Sequence, residues 1–252
     1  MVGRASALLR TRRAIGFVAL GAVLTVYYSV NESLHNFTVW WEVAILALLV
    51  IPAVFGLVYL ALPLWKLPTQ RLLIAGLAVA VLAVVLQVTG LVVVANFAKL
   101  GAVTLLAWWF LTYFETAAWV VLVAMIVPWV DAYSVWRGPT KHIITHRREL
   151  FTTFSFAFPV PGEQNTAQLG LPDLLFFALF LASAARWGLR TRLTWAALTL
   201  SFGGTIALSV AFDLNGLPAL PLLALGFLLP NIDLLWKKMR VEGAWGRLVT
   251  HK

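Results

Sequence analysis

The chain has 252 residues, of which 62% are hydrophobic and only 12% are charged, with a formal net charge of +9 and no cysteine. A single soluble core cannot bury this much apolar surface, so the composition predicts a polytopic membrane protein whose solvent is the lipid bilayer. The lack of cysteine excludes disulfides, cysteine-ligated zinc and thiol catalysis. The positive charge does not indicate a nucleic-acid partner, because the basic residues lie in short segments between apolar runs, where they set membrane orientation.

Apolar runs of about 20 residues, the length that crosses a bilayer, follow one another along the chain. The first follows MVGRASALLRTRR, which is similar to the start of a signal peptide, but VYYSVNES behind it has no small-x-small cleavage site, so we expect a retained signal anchor. The fourth run is short, and Glu115 separates it from the fifth. We predict eight spans: 14–30, 40–64, 71–95, 100–114, 116–136, 171–187, 193–212 and 217–236.

The longest break between spans is 137–170, which proline and polar residues interrupt too often for a membrane crossing. We expect a partly ordered loop there. No soluble domain interrupts the spans, so the fold class that we expect is an all-α transmembrane helix bundle. It would form a single membrane-embedded domain over 1–252, with scaffold helices in 1–115 and the helices that flank the loop in 116–252.

The basic residues predict an orientation. With the N-terminus inside, fourteen of the nineteen Lys and Arg residues fall on the inner side. We therefore expect cytoplasmic N- and C-termini and an exterior loop 137–170. The five basic residues left on the outer side are Lys99, Arg137, Lys141, Arg147 and Arg148.

Two acidic residues lie in apolar surroundings on either side of this loop, Asp131 and Asp173. An ionised carboxylate within an apolar span costs free energy, so these two residues need a reason to be there. The other eight acidic residues lie in loops, in tails or near span ends. Among them, Asp233 is expected to pair with Lys237 or Lys238. Asp131 is about 8 Å from the loop end of span five, and Asp173 is within a turn of the loop end of span six. Because consecutive spans share their loop, both carboxylates are expected near one membrane face.

Two neighbouring carboxylates in a low dielectric share a proton, so that one can act as a base on water and the other as an acid on a carbonyl. This is the arrangement of aspartic proteases. A proton-coupled transporter would use the same pair, and spacing alone leaves both functions open. His142 and His146 share a helical face, but Arg147 and Arg148 beside them indicate a solvated basic stretch, so we predict no metal site.

Three motifs resemble those of presenilins and signal peptide peptidases. VDAYSVWRGPTKHI (130–143) is similar to the segment around their first catalytic aspartate, particularly in the archaeal presenilin homologues. LGLPD (169–173) resembles their Gly-x-Gly-Asp motif, and LPALP (217–221) matches their Pro-Ala-Leu motif at the start of the last span. The motifs occur in the family's order on three predicted spans, and the resemblance covers about 110–240.

The resemblance implies an intramembrane aspartyl protease of the GxGD type with Asp131 and Asp173 as its catalytic residues. It implies no cofactor, and substrates that are transmembrane peptides or proteins, signal-peptide remnants included. The predicted orientation is that of the signal peptide peptidases, and the expected location is the plasma membrane of a prokaryote. The oligomeric state is not indicated. The residues expected to bind substrate are Gly170, Leu171, Pro172, Pro218, Ala219 and Leu220.

The chain departs from the family pattern at several points. Val130 replaces a tyrosine, Pro172 replaces the second glycine of the motif, and eight spans are predicted where the family has nine. Proline fixes φ and lacks an N–H group, so Pro172 is compatible with a helix only in its first turn. A catalytically inactive homologue that binds transmembrane segments is therefore the alternative that the departures favour.

The prolines of the LPALP motif disfavour helix at Leu217 and Leu220, because each precedes a proline. We expect an extended edge at 217–221 to which a substrate strand could add. A helix that starts with proline in its first turn is the alternative.

Overall fold

The computed structural model describes residues 2–137, 154–214 and 217–249. Short 3₁₀ turns lie at Asn31–Ser33, Leu62–Lys66 and Leu229–Asn231, and a π-helical turn at Leu46–Val50 joins the second helix to the third. The helices and strands, in chain order, are α1 (Val2–Val30), α2 (Val39–Ile45), α3 (Ile51–Ala61), α4 (Thr69–Val88), α5 (Val92–Leu111), α6 (Ala117–Arg137), β1 (Ser155–Pro159), β2 (Thr166–Gly170), α7 (Leu171–Arg186), α8 (Thr191–Ala211), α9 (Leu220–Leu228) and α10 (Ile232–Val249).

Helices of membrane-crossing length dominate the structure. Their length and hydropathy confirm the prediction of an all-α, polytopic membrane protein, and the chain is an integral membrane protein. Seven stretches among the described residues are long and apolar enough to cross a membrane: Thr11–Ser33, Val39–Lys66, Thr69–Val88, Val92–Leu111, Ala117–Val135, Thr191–Ala211 and Leu220–Val241.

Helix α7 is the predicted sixth span, and it is shorter than the other crossing helices. Its 16 residues extend about 24 Å, which is less than the hydrocarbon thickness of a bilayer. Every side chain from Phe177 to Ala184 is buried, and the helix packs against α5, α6, α8 and α9. A helix that is apolar on all faces belongs in the centre of a bundle. Because protein rather than lipid surrounds α7, its length need not match the bilayer.

The predicted border between the third and fourth spans is wrong by several residues. Helix α4 ends at Val88, and Gly90 then has a φ of +81°, a conformation that glycine adopts without strain. The N–H of Leu91 donates to the carbonyl of Leu86 at 3.0 Å, which closes the helix end as in a Schellman motif. As a result α5 is a full-length helix, and Lys99 lies within it rather than in an exterior loop.

A β-hairpin occupies the second part of the predicted loop 137–170. Strands β1 and β2 are antiparallel, with Ser155 opposite Gly170 and Pro159 opposite Thr166. The alternating phenylalanines of Phe-Ser-Phe-Ala-Phe are typical of a half-buried strand, a signal that the loop interpretation overlooked. Residues 138–153, with His142 and His146, lie outside the described part of the chain.

Aromatic side chains fasten this hairpin to the helices. The ring of Phe55 on α3 stacks on Phe177 of α7, with centroids 4.0 Å apart, and it contacts Phe158 of β1 at 6.3 Å and Phe202 of α8 at 5.0 Å. Each such pair contributes about 1 kcal/mol beyond the burial of apolar area. The hairpin is therefore part of the core of the bundle.

An ion pair ties the N-terminus of α8 to the start of α10. The guanidinium of Arg190 donates to both carboxylate oxygens of Asp233, at 2.7 and 2.8 Å. The expectation that Asp233 pairs with Lys237 or Lys238 is therefore wrong. The expected partner was a neighbour on the same helix. The actual partner, Arg190, is 43 positions away in sequence and lies beside Asp233 because of the tertiary fold.

Candidate active site

Asp131 lies near the end of α6, where it meets the beginning of α9. The backbone N–H of Leu220 donates a hydrogen bond to Oδ2 of Asp131 at 3.0 Å, across 89 residues of sequence. Leu220 is the first residue of α9, so its N–H is one of those that a helix cannot satisfy internally. A carboxylate at this position also interacts favourably with the helix dipole. The Pro-Ala-Leu motif thereby holds the carboxylate of Asp131 in place.

The extended edge that we expected over 217–221 is not present. Helix α9 begins at Leu220 with Pro221 in its first turn, so span eight starts there and the helix-start alternative is correct. Pro221 is tolerated because a first-turn residue needs no donor. Leu217, Pro218 and Ala219 precede the helix, and Pro218, Ala219 and Leu220 are all buried.

Asp173 is the third residue of α7, and Gly170 immediately before the helix makes room for it. A Cβ atom at position 170 would lie 3.1 Å from Oδ2 of Asp173, a tight contact. The φ of Gly170 is −59° and its ψ is 141°, a conformation open to any residue. Glycine is therefore favoured at this position by space around the carboxylate rather than by backbone conformation.

Pro172 occupies the second position of α7, as its compatibility with a helix requires. Its ring is exposed, and the absence of its N–H leaves no helical hydrogen bond unmade. The neighbouring Leu171 N–H donates to the carbonyl of Phe154 at 3.1 Å, which continues the pairing of the hairpin into the helix. The substitution of glycine by proline is therefore structurally accommodated.

The two aspartates lie at one end of the bundle. Helices α6 and α7, which carry the two aspartates, are in contact. Both side chains are partly buried. Two carboxylates in such surroundings have the means to take a proton from water and to give one to a carbonyl oxygen.

An apolar cavity of about 500 Å³ adjoins this end of α7. Leu171 and Pro172, both expected to bind substrate, form part of its wall. Its dimensions and composition suit an apolar side chain of a bound peptide. The residues that line it are Val103, Phe154, Leu171, Pro172, Leu175 and Phe176.

Side chains from α1 and α5 cover the outer edge of β1. Asn96 pairs with Ala157 at both backbone atoms: its Nδ2 donates to the carbonyl at 2.8 Å, and its Oδ1 accepts the N–H at 3.0 Å. The hydroxyl groups of Tyr28 and Tyr27 donate to the carbonyls of Ala157 and Pro159. Since β2 pairs with β1 alone among the described strands, the outer edge of β2 is where a further strand could add.

Sequence reasoning missed this role of Asn96, although a signal was present. A buried amide in an apolar helix is costly unless it is hydrogen-bonded, so Asn96 within the run 92–111 indicates a partner. Sequence alone does not tell which backbone group accepts it.

In comparisons with known proteins, no family model matches the chain, and no curated protein is significantly similar to it.

Proposed function

We propose that this protein is an intramembrane aspartyl protease that hydrolyses peptide bonds within transmembrane segments, with Asp131 and Asp173 as its catalytic pair. The observation that carries the proposal is the meeting of three distant motifs: Asp131 accepts the N–H of Leu220, and α6, which carries Asp131, is in contact with α7, which carries Asp173. The likeness of these motifs to those of presenilins and signal peptide peptidases favours the same chemistry.

In the proposed mechanism the two carboxylates share one proton. The ionised carboxylate takes a proton from water as the water oxygen attacks the carbonyl carbon of the substrate, and the protonated one gives its proton to the carbonyl oxygen. The newly protonated carboxylate then gives its proton to the amide nitrogen while the other carboxylate takes a proton from a hydroxyl of the diol, so that the C–N bond breaks to give a carboxylic acid and an amine and the pair again shares one proton. Since Leu220 engages Oδ2 of Asp131, this scheme assigns the water to Oδ1.

The substrate must lose its helical hydrogen bonds before water can reach a peptide bond, so the enzyme has to offer replacement partners. The outer edge of β2 can supply them by strand addition. Because β2 runs directly into α7, a strand bound there passes beside Asp173, the third residue of that helix. In this scheme Pro218, Ala219 and Leu220 act by holding Asp131, and Gly170 acts by leaving space for Asp173.

The apolar cavity beside Pro172 would take a side chain of the bound strand. Substrates are transmembrane peptides or proteins, signal-peptide remnants included. The enzyme would lie in the plasma membrane of a prokaryote with both termini cytoplasmic and the 137–170 segment exterior, as the distribution of basic residues favours.

The test is cleavage of a single-span reporter substrate by the full chain in liposomes. Asp131→Asn and Asp173→Asn are each expected to abolish cleavage, and the double variant to be no worse, because residues that act as a unit are non-additive. The wild-type rate should depend on pH as a bell-shaped curve whose two limbs belong to the pair.

Asp213→Asn is the matched control, because Asp213 is exposed and its φ of 50° is one that asparagine also adopts. It should leave cleavage unchanged. Partial activity in either aspartate variant of the pair would contradict the catalytic assignment. Proton flux without cleavage would indicate a transporter, and substrate binding without cleavage an inactive homologue.

A further inference from the structure

A cavity of about 530 Å³ opens at the end of the bundle opposite to the aspartates. Its wall includes Ala185, which lies twelve residues after Asp173 on α7, or about 18 Å along the helix axis. The cavity lies among the N-terminal part of α1, the 3₁₀ turn after α3 and the beginning of α8. The charged and aromatic residues of its wall are Arg13, Tyr59, Trp65, Lys66, Arg190 and Arg192.

The wall carries four cationic side chains and no acidic one. Within the described residues, Arg190 is the cation of this group that has an ion-pair partner, Asp233. Arg13, Lys66 and Arg192 have none there. Like charges gathered in a concave surface repel one another and create a positive potential that concentrates anions.

Two of these cations are held against aromatic rings of the same wall. The guanidinium carbon of Arg13 lies 6.0 Å from the ring centroid of Tyr59, and Nζ of Lys66 lies 5.9 Å from that of Trp65. Both contacts are within the range of a cation–π interaction. Arg190 is also fixed, since its guanidinium donates to the carbonyl of Pro230 at 2.6 Å as well as to Asp233. Three of the four charges are therefore held in place before any anion binds.

Apart from Thr191 the remaining wall is aliphatic, with Leu62, Pro63 and Leu193, and the cavity lies where several membrane-spanning helices end. Tyrosine and tryptophan at this level are typical of the zone of lipid headgroups. Basic pockets between helix ends match the phosphate of an acidic lipid, whose acyl chains continue along the apolar helices. We propose that this cavity binds the phosphate headgroup of an anionic phospholipid from the bilayer.

The test uses the full chain in detergent, titrated with a short-chain phosphatidylglycerol, with the matching phosphatidylcholine or with inorganic phosphate, and the thermal midpoint of unfolding as readout. Phosphatidylglycerol is expected to raise the midpoint saturably, because a ligand of the folded state stabilises it. Phosphatidylcholine and inorganic phosphate should not. The double variant Arg13→Gln, Arg192→Gln should bind the anionic lipid about thirtyfold more weakly, the effect of two charges near a membrane surface.

Arg71→Gln, Arg240→Gln is the matched control, since it removes two positive charges outside the cavity, near the same ends of the spans. It should keep full affinity. An equal loss in both double variants would mean attraction by surface charge and would overturn the site. An equal response to inorganic phosphate would overturn the lipid as its ligand. If the Arg13→Gln, Arg192→Gln variant has a lower thermal midpoint than the wild type already in phosphatidylcholine, Lys66→Gln serves as a second variant, because Lys66 is exposed. It should also weaken binding of the anionic lipid.

Discussion

At the level of single residues, the candidate active site depends on the positions of two carboxylates that are closely contacted by neighbouring atoms. The Oδ2 atom of Asp173 lies 3.1 Å from the point where a side chain at position 170 would begin, and Oδ2 of Asp131 is held by one backbone N–H. Small displacements of either carboxylate would change the distance between them. Catalysis by paired groups is sensitive to displacements of well under 1 Å.

Gly170→Ala is therefore expected to reduce cleavage on the order of tenfold or more by pushing the carboxylate of Asp173 aside, with the thermal midpoint little changed. The measurement is kcat and KM with the reporter substrate. Gly21→Ala is the control, because a Cβ at position 21 meets nothing within 4 Å. An alanine variant at position 170 with wild-type kcat would show that the tight contact has no catalytic consequence.

Pro172→Gly is expected to be tolerated or to increase cleavage. The ring of Pro172 is exposed at the second position of α7, and glycine there restores the Gly-x-Gly-Asp pattern that the chain resembles. The same cleavage assay gives the answer. If the glycine variant folds but loses activity, proline is itself a requirement of this site.

At the level of secondary structure, the β-hairpin is held by helices that are remote from it in sequence. Asn96 of α5 binds both backbone groups of Ala157, as a neighbouring strand would, and Phe156 and Phe158 are fully buried. The side-chain amide thus ends the sheet on the β1 side. In the proposed function, a substrate strand would therefore add to β2, which leads to Asp173.

Asn96→Leu should lower the stability of the folded protein by about 1–3 kcal/mol, because it removes two hydrogen bonds to the backbone of the half-buried Ala157. Thermal unfolding in detergent measures the change, and cleavage should fall with it as the hairpin loses its position. Thr199→Val is the control: the Thr199 hydroxyl is buried and has no hydrogen-bond partner in the described part of the chain, so its removal should be neutral or stabilising. Equal stability of the two variants would contradict the role assigned to Asn96.

At the level of the whole molecule, the expected orientation rests on where the basic residues fall along the sequence, fourteen on the inner side and five on the outer side. Of the five, Lys99 lies within α5 rather than in a loop. The positive-inside rule weighs this asymmetry rather than net charge.

The absence of cysteine in the chain allows this orientation to be measured directly. Gln164→Cys, in the hairpin turn, should react in intact cells with a membrane-impermeant maleimide, and Lys252→Cys should react only after the membrane is opened. The opposite pattern would place the hairpin and the aspartates on the cytoplasmic side, as in presenilins.

Composition and local pattern were sufficient for the class of the protein and for most of its helices. A segment in lipid must hydrogen-bond its own backbone groups and match the thickness of the bilayer. Hydropathy along the chain therefore predicts the membrane-spanning helices. The prominence of Asp131 and Asp173 has the same local origin, since a carboxylate among apolar residues is costly wherever its partners lie. Helix boundaries were predicted less accurately. The end of α4, for example, depends on the backbone conformation of Gly90 and not on a change in hydropathy.

What the tertiary structure alone decided depends on atoms that are far apart in the chain. The N–H of Leu220 meets Asp131 across 89 residues, and Asn96 meets Ala157 across 61. The choice of Arg190 as partner of Asp233 also requires the packing of α8 against the turn before α10. No periodicity or motif encodes such contacts locally, because each one results from how the helices pack and not from the preference of any single segment.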